Sequence, residues 1–102
     1  VTTPRSTLSR AEKDDVVAVL IRYLEEIDVV IFAYLHGSFT GDGPFQDIDI
    51  AVYVDESKIT KERALDFELS HSVMLEEVIR IPVDLKVVNY APLAFQYYAT
   101  AG

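Results

Sequence analysis

Apolar and polar residues alternate along the chain with two different periods, and the switch between them divides it into elements. Ser9-Arg10-Ala11-Glu12 has the S-x-x-E form of a capping box, in which hydroxyl and carboxylate satisfy free amides of a first helical turn. Val16, Leu20, Leu24 and Ile27 follow at spacings of four and three, which predicts one apolar stripe on a helix of about 18 residues. Asp14 and Asp15 lie near its start, where the helix dipole favours negative charge.

Val29 to Leu35 is a run of seven apolar residues, rich in β-branched and aromatic types and too short for an ordinary helix. Apolar on both faces, it predicts a strand inside a sheet rather than at its margin. It breaks at His36-Gly37-Ser38, and Phe39 to Gln46, with Gly41, Gly43 and Pro44, is expected to be mostly loop or a short turn of helix. Asp47 to Asp55 then alternates with period two. Ile48, Ile50, Val52 and Val54 point one way, while Asp47, Asp49, Ala51 and Tyr53 point the other.

Thr60 is placed to cap a second helix running to about Arg80, with Leu65, Leu69 and Val73 at intervals of four and Leu75, Val78 and Ile79 continuing an apolar face. Pro82 stops it, because the residue before proline is driven out of the helical region. Val83 to Val88 alternates again as a third strand, with Asp84 and Lys86 opposite Val83, Leu85 and Val87. Pro92 suits the first residue of a closing helix, Leu93 to about Ala99. The order predicts an α/β (α+β) architecture, a small mixed β-sheet flanked by helices. At 102 residues without a linker, repeat or low-complexity tract, residues 1–102 read as a single domain.

Charge narrows the partners. Seventeen acidic residues against nine basic ones give a net charge of −8, which opposes a polyanion, so no direct binding of polymeric DNA or RNA is expected. A basic protein partner, a divalent cation and plain solubility all remain open. The chain has no cysteine, hence no disulfide framework and no cysteine-based zinc site. With no membrane-length apolar run, and no apolar leader within Val1 to Arg10, a cytoplasmic location away from membranes is expected.

The candidate chemistry lies in His36 to Val52. Asp47 and Asp49, two residues apart on a strand, share a face about 7 Å apart, and like charges so placed call for a hard cation between them. Asp84 supplies a third carboxylate if its strand is adjacent. Gly37-Ser38, at the end of an apolar strand, offers backbone amides and a hydroxyl to phosphate oxygens, with glycine allowing close approach. Taken singly, Asp-x-Asp describes many solvated strands, Gly-Ser marks any loop, and Asp84 reads equally as a surface acid. Their joint order points to phosphoryl or nucleotidyl transfer, with metal ions neutralising the charge of a triphosphate.

HGSFTGDGPFQDIDIAV resembles the Gly-Ser, spacer, Asp-x-Asp signature of the polymerase-beta-like nucleotidyltransferases, and IPVDLKVVNYAPLAF resembles the third-aspartate strand and following segment of their smallest branch, the minimal nucleotidyltransferases. The likeness runs from about Val16 to Ala99. It implies the nucleotidyltransferase fold, two Mg²⁺ ions held by the catalytic residues Asp47, Asp49 and Asp84, and ATP as substrate, its phosphates on Gly37 and Ser38. It further implies an antitoxin role: partnership with a HEPN-domain toxin, and transfer of AMP to a hydroxyl, a tyrosine in some such pairs, of that toxin. Homo- and hetero-oligomers are both compatible with it.

Two features depart from the family pattern: the spacer Phe39 to Gln46 is shorter than in most relatives, and the basic residue that many carry after Gly-Ser is missing. Both favour a rival reading, a catalytically weak or inactive module of the same fold that neutralises its partner by contact. Adenylylation of a small molecule is a third reading, opposed by the lack of a second domain to form an acceptor pocket. Lys86 and Lys58 are candidates for the missing charge, although pairing of Lys86 with a neighbouring acid is its simpler role. His36 reads as a structural histidine beside the motif and His71 as a surface residue. Tyr90, Phe95, Tyr97 and Tyr98 form an aromatic cluster suited to core or to a partner.

Overall fold

The computed structural model describes residues 8–37, 39, 41 and 44–90. Helix α1 spans Arg10–Glu25, strand β1 Val30–His36, strand β2 Ile48–Val54, helix α2 Lys61–Ile79 and strand β3 Val83–Val87, followed by a 3₁₀ turn at Val88–Tyr90. The strands form a three-stranded mixed sheet in the order β1-β2-β3, with β1 antiparallel and β3 parallel to β2. This is the small α+β sheet-and-helix arrangement expected of the sequence, and it is consistent with a nucleotidyltransferase fold. The closing helix predicted at Leu93 to Ala99, with Phe95, Tyr97 and Tyr98, lies outside the described residues.

α1 begins as the capping box requires. The Ser9 N–H donates to Glu12 Oε1 at 2.8 Å and the Glu12 N–H donates to Ser9 Oγ at 3.1 Å. From there the apolar stripe delivers Leu20 into the core, with Val16, Val17 and Leu24 beside it. Thr60 is the N-cap of α2 by position, but its side chain makes no capping bond. α2 ends two residues before Pro82: Arg80 turns left-handed at φ 62°, and its N–H donates to the Glu76 carbonyl at 2.8 Å.

Two expectations about burial are reversed. The apolar run of β1 lies at a margin of the described sheet, with Ile31, Phe32 and Tyr34 exposed, and the alternating strand β2 is the inner one. Connectivity decides this. The β2-α2-β3 crossover lays β3 parallel on one side of β2, and the direct return from β1 fills the other, so β2 is in the middle whatever its polarity.

The second reversal is on α2. Leu65, Leu69 and Val73 are 59%, 58% and 53% exposed, and the helix instead turns Ala64 and Leu75 inward. A polar series with the same four-residue spacing governs its orientation. Glu76 Oε1 accepts the N–H of Val83 at 2.7 Å, Ser72 Oγ that of Leu85 at 3.1 Å, and Glu68 Oε2 that of Val87 at 2.8 Å. Four residues of helix rise about 6 Å. Two residues of strand advance about 6.6 Å, so the two ladders stay in step. Buried strand amides left without acceptors would cost more than solvating three aliphatic side chains that remain partly covered.

The core lies between the sheet and the helices. Ile48, Ile50, Val52 and Val54 of β2 meet Val83, Leu85 and Val87 of β3, closed by Leu20, Ala64 and Leu75. Phe39 and Phe45, expected in a loop, belong to this core and meet edge to face at 4.8 Å. Beyond β2, the Asn89 carboxamide accepts the Val54 N–H and donates to the Val54 carbonyl, both at 2.9 Å, acting as a substitute strand.

Candidate functional site

Because the β2 side chains Ile48, Ile50, Val52 and Val54 face the helices, Asp49, Ala51 and Tyr53 stand on the opposite face, where among the described residues the 3₁₀ turn packs Val88 against Ala51. The register places His36 of β1 opposite Asp49 and Asp49 beside Asp84 of β3, a row of three residues across the sheet. Asp47 precedes β2 by one residue and keeps the parity of Asp49. The two acidic strands are therefore neighbours, and Asp47, Asp49 and Asp84 lie at one end of one sheet face, the strand adjacency on which the third carboxylate depended.

Gly37 closes this end. Its φ of 83° is a left-handed backbone that glycine adopts freely, and a Cβ there would collide with Asp49 Oδ2. The backbone conformation is what requires glycine at 37, and any side chain there would also displace the Asp49 carboxylate. Ser38, the other predicted phosphate contact, lies outside the described residues.

The electrostatics of the site centre on Asp49. The Asp49 carboxyl is pushed above its ordinary value, first by burial and then by the negative charges of Asp47 and Asp84, with His36 opposing. Burial joined to like-charged neighbours at one carboxylate is a pattern common at functional positions. Asp84 has Lys86 Nζ at 3.8 Å from Oδ1, a loose pair with both side chains about half exposed, which is the simpler of the two roles considered for Lys86. Lys58 follows the far end of β2, where its N–H binds the Asp55 carbonyl, and is remote from the acids. Among the described residues no three His, Asp or Glu side chains are gathered as a metal ligand set. The donor chemistry still fits a hard cation: carboxylate oxygens on one face, and a central acid already destabilised by its like-charged neighbours.

On the same face, away from the acids, the Phe32 ring stacks on Tyr53 with centroids 5.0 Å apart, and Tyr34 meets Phe32 edge-on at 5.4 Å. This aromatic strip leads from the sheet margin toward the carboxylates.

A family model for the polymerase beta nucleotidyltransferase domain matches residues 19–102. The chain belongs to this nucleotidyltransferase family. No curated protein and no solved structure matches it. The family generally couples Mg²⁺ with a nucleoside triphosphate, which agrees in kind with the carboxylate face and the glycine against it.

Sequence reasoning missed Lys13. Its amine reaches from the first turns of α1 to the loop between Gly37 and Asp47, donating to the Phe39 carbonyl at 3.2 Å and to the Gly41 carbonyl. It also lies 5.3 Å from the ring centroids of both Phe39 and Phe45. The signal that could have found it was helical parity, since Lys13 lies four residues before Val17 and seven before Leu20, on the stripe that faces inward. His71 also departs from expectation. It is half-buried between the helices, with Nδ1 2.7 Å from Tyr23 Oη and its ring 4.4 Å from that of Phe67. Burial pushes its pKa down. Tyr90 serves the fold, donating from Oη to the Ile59 carbonyl at 2.8 Å.

Proposed function

We propose that this nucleotidyltransferase domain is an Mg²⁺-dependent antitoxin that transfers AMP from ATP to a tyrosine hydroxyl of a HEPN-type toxin. The observation that supports this best is the row His36, Asp49, Asp84 with Gly37 packed against Asp49. It sets two acids, with Asp47 two residues before the first of them, beside a backbone turn with no side chain of its own. Asp47 and Asp49 would hold two Mg²⁺ ions, with Asp84 as ligand to one of them; bound there, the ions supply charge neutralisation for the triphosphate and its departing pyrophosphate.

The protein's own residues do the rest. Gly37 leaves room for the phosphates to approach the carboxylates, with Ser38 as the adjacent hydroxyl. Asp84, the most exposed of the three acids, takes the proton of the incoming hydroxyl. The hydroxyl oxygen bonds to the α-phosphorus, the bond to the bridging oxygen breaks, and pyrophosphate carries off the electron pair. Asp84 is exposed at the edge of this face, where a protein acceptor would approach, while farther along the 3₁₀ turn packs Val88 on Ala51.

Mass spectrometry of the toxin after incubation with ATP and Mg²⁺ tests this. One or more adenylate additions are expected with wild type, and a loss of about a hundredfold or more in rate with Asp47→Asn. No addition with wild type would overturn the catalytic reading. Full suppression of toxicity by an Asp47→Asn/Asp49→Asn variant would assign neutralisation to contact alone.

A further inference from the structure

We infer that Lys13 is the positioning residue of the polyphosphate loop, acting from α1 in place of a basic residue within the loop itself. The inference rests on the reading of Gly37 to Asp47 as a triphosphate-binding segment and adds to it a residue that lies outside the family match at 19–102. Three observations converge on one amine. It binds two loop carbonyls, those of Phe39 and Gly41. It stands against the rings of Phe39 and Phe45, which are buried and anchor both ends of the spacer in the core. And it comes from the helix layer, whereas the carboxylates stand on the other face of the sheet.

The chemistry follows from what a phosphate loop has to present. A carbonyl oxygen aimed at a phosphate repels it, and an N–H attracts it. By drawing the Phe39 and Gly41 carbonyls toward the helix layer, Lys13 removes two negative dipole ends from the ligand side. Its charge also gives the loop a positive inner wall without a lysine exposed to solvent. The substitution Lys13→Met keeps the length and apolar body of the side chain while removing charge and donors; Lys13→Arg keeps both.

The test uses the Lys13→Met and Lys13→Arg variants of the full chain, with Mg²⁺·ATP and AMP as titrants and amide exchange of residues 37–47 as a second readout. Lys13→Met is expected to weaken ATP binding about tenfold while changing AMP binding less than about twofold, because the effect grows with the number of phosphates on the loop. Its loop amides exchange faster, and Lys13→Arg restores both ATP affinity and protection. Unchanged ATP affinity in Lys13→Met, or equal losses for ATP and AMP, would overturn the assignment while leaving the triphosphate reading intact. Absence of ATP binding by the wild type would overturn both.

Discussion

The outer amides of Val83, Leu85 and Val87 on β3 all find acceptors on α2, whereas β1, at the other margin of the described sheet, turns Ile31, Phe32 and Tyr34 toward solvent. Both strands are short, β1 largely apolar and β3 alternating, and both flank the same inner strand. They differ in what the next element along the chain can offer. α2 leads directly into β3 and can bring Glu68, Ser72 and Glu76 alongside it, which closes that margin to further strand pairing. β1 leads into the Gly37 turn, and its exposed aromatics Phe32 and Tyr34 lie on the face that carries the acids. One margin of the sheet is thus sealed by a helix while still carrying Asp84 on its face, and the other is left exposed beside the site.

The largest expected effect on that contrast is from core truncation. Leu85→Ala, at a fully buried position of β3, is expected to cost about 2–5 kcal/mol in denaturant unfolding, against about 1 kcal/mol for Phe32→Ala, which loses a stacked ring at the open margin. Equal losses would show that β1 is covered in solution. Next in size is the amide ladder. Glu68→Ala strands the Val87 N–H and is expected to cost about 1–3 kcal/mol. The adjacent Leu69→Ala should change stability by less than about 0.5 kcal/mol, although hydrophobic periodicity alone would rank the two the other way.

The smallest effect is a pH dependence at the site between the margins. Asp49 has a folded-state pKa raised above its unfolded value, so its ionisation disfavours folding. That cost is absent well below the ordinary carboxyl value of 3.8 and develops as pH rises through it and past the folded-state value. Asp49→Asn should therefore be more stable than wild type at pH 7, by about 0.5 kcal/mol after solvent screening, with the difference vanishing at low pH. A variant that is less stable at pH 7 would mean that Asp49 is a structural acid. Greater stability joined to lost transfer activity is what a binding-site acid predicts.

Much of the fold was legible because its signals are local. The capping box at Ser9 and Glu12 involves residues three apart, the alternation of β2 and β3 needs only the chain's own pleat, and Pro82 acts on its neighbour. The parity of Asp47 and Asp49 is local too, so half of the carboxylate site could be read without a sheet. Lys13 could not. Its partners at Phe39 and Gly41 are 26 and 28 residues away, and nothing in a solitary lysine near a helix start announces a distant carbonyl. The burial of α2 was misjudged for a related reason: Leu65, Leu69 and Val73 form a proper apolar stripe, but the competing demand came from amides on another strand.

Which segments are helix and which are strand, that Asp47 and Asp49 share a face, and that the apolar strand must break at Gly37 are all written in the order of the residues. Each of these follows from backbone geometry over a few positions. That β2 rather than β1 is the inner strand, that Asp84 stands beside Asp49, and that the loop's cation comes from α1 are matters of tertiary structure. Each of these depends on which elements become neighbours, and that is settled by crossover connectivity and by the need to give every buried amide an acceptor.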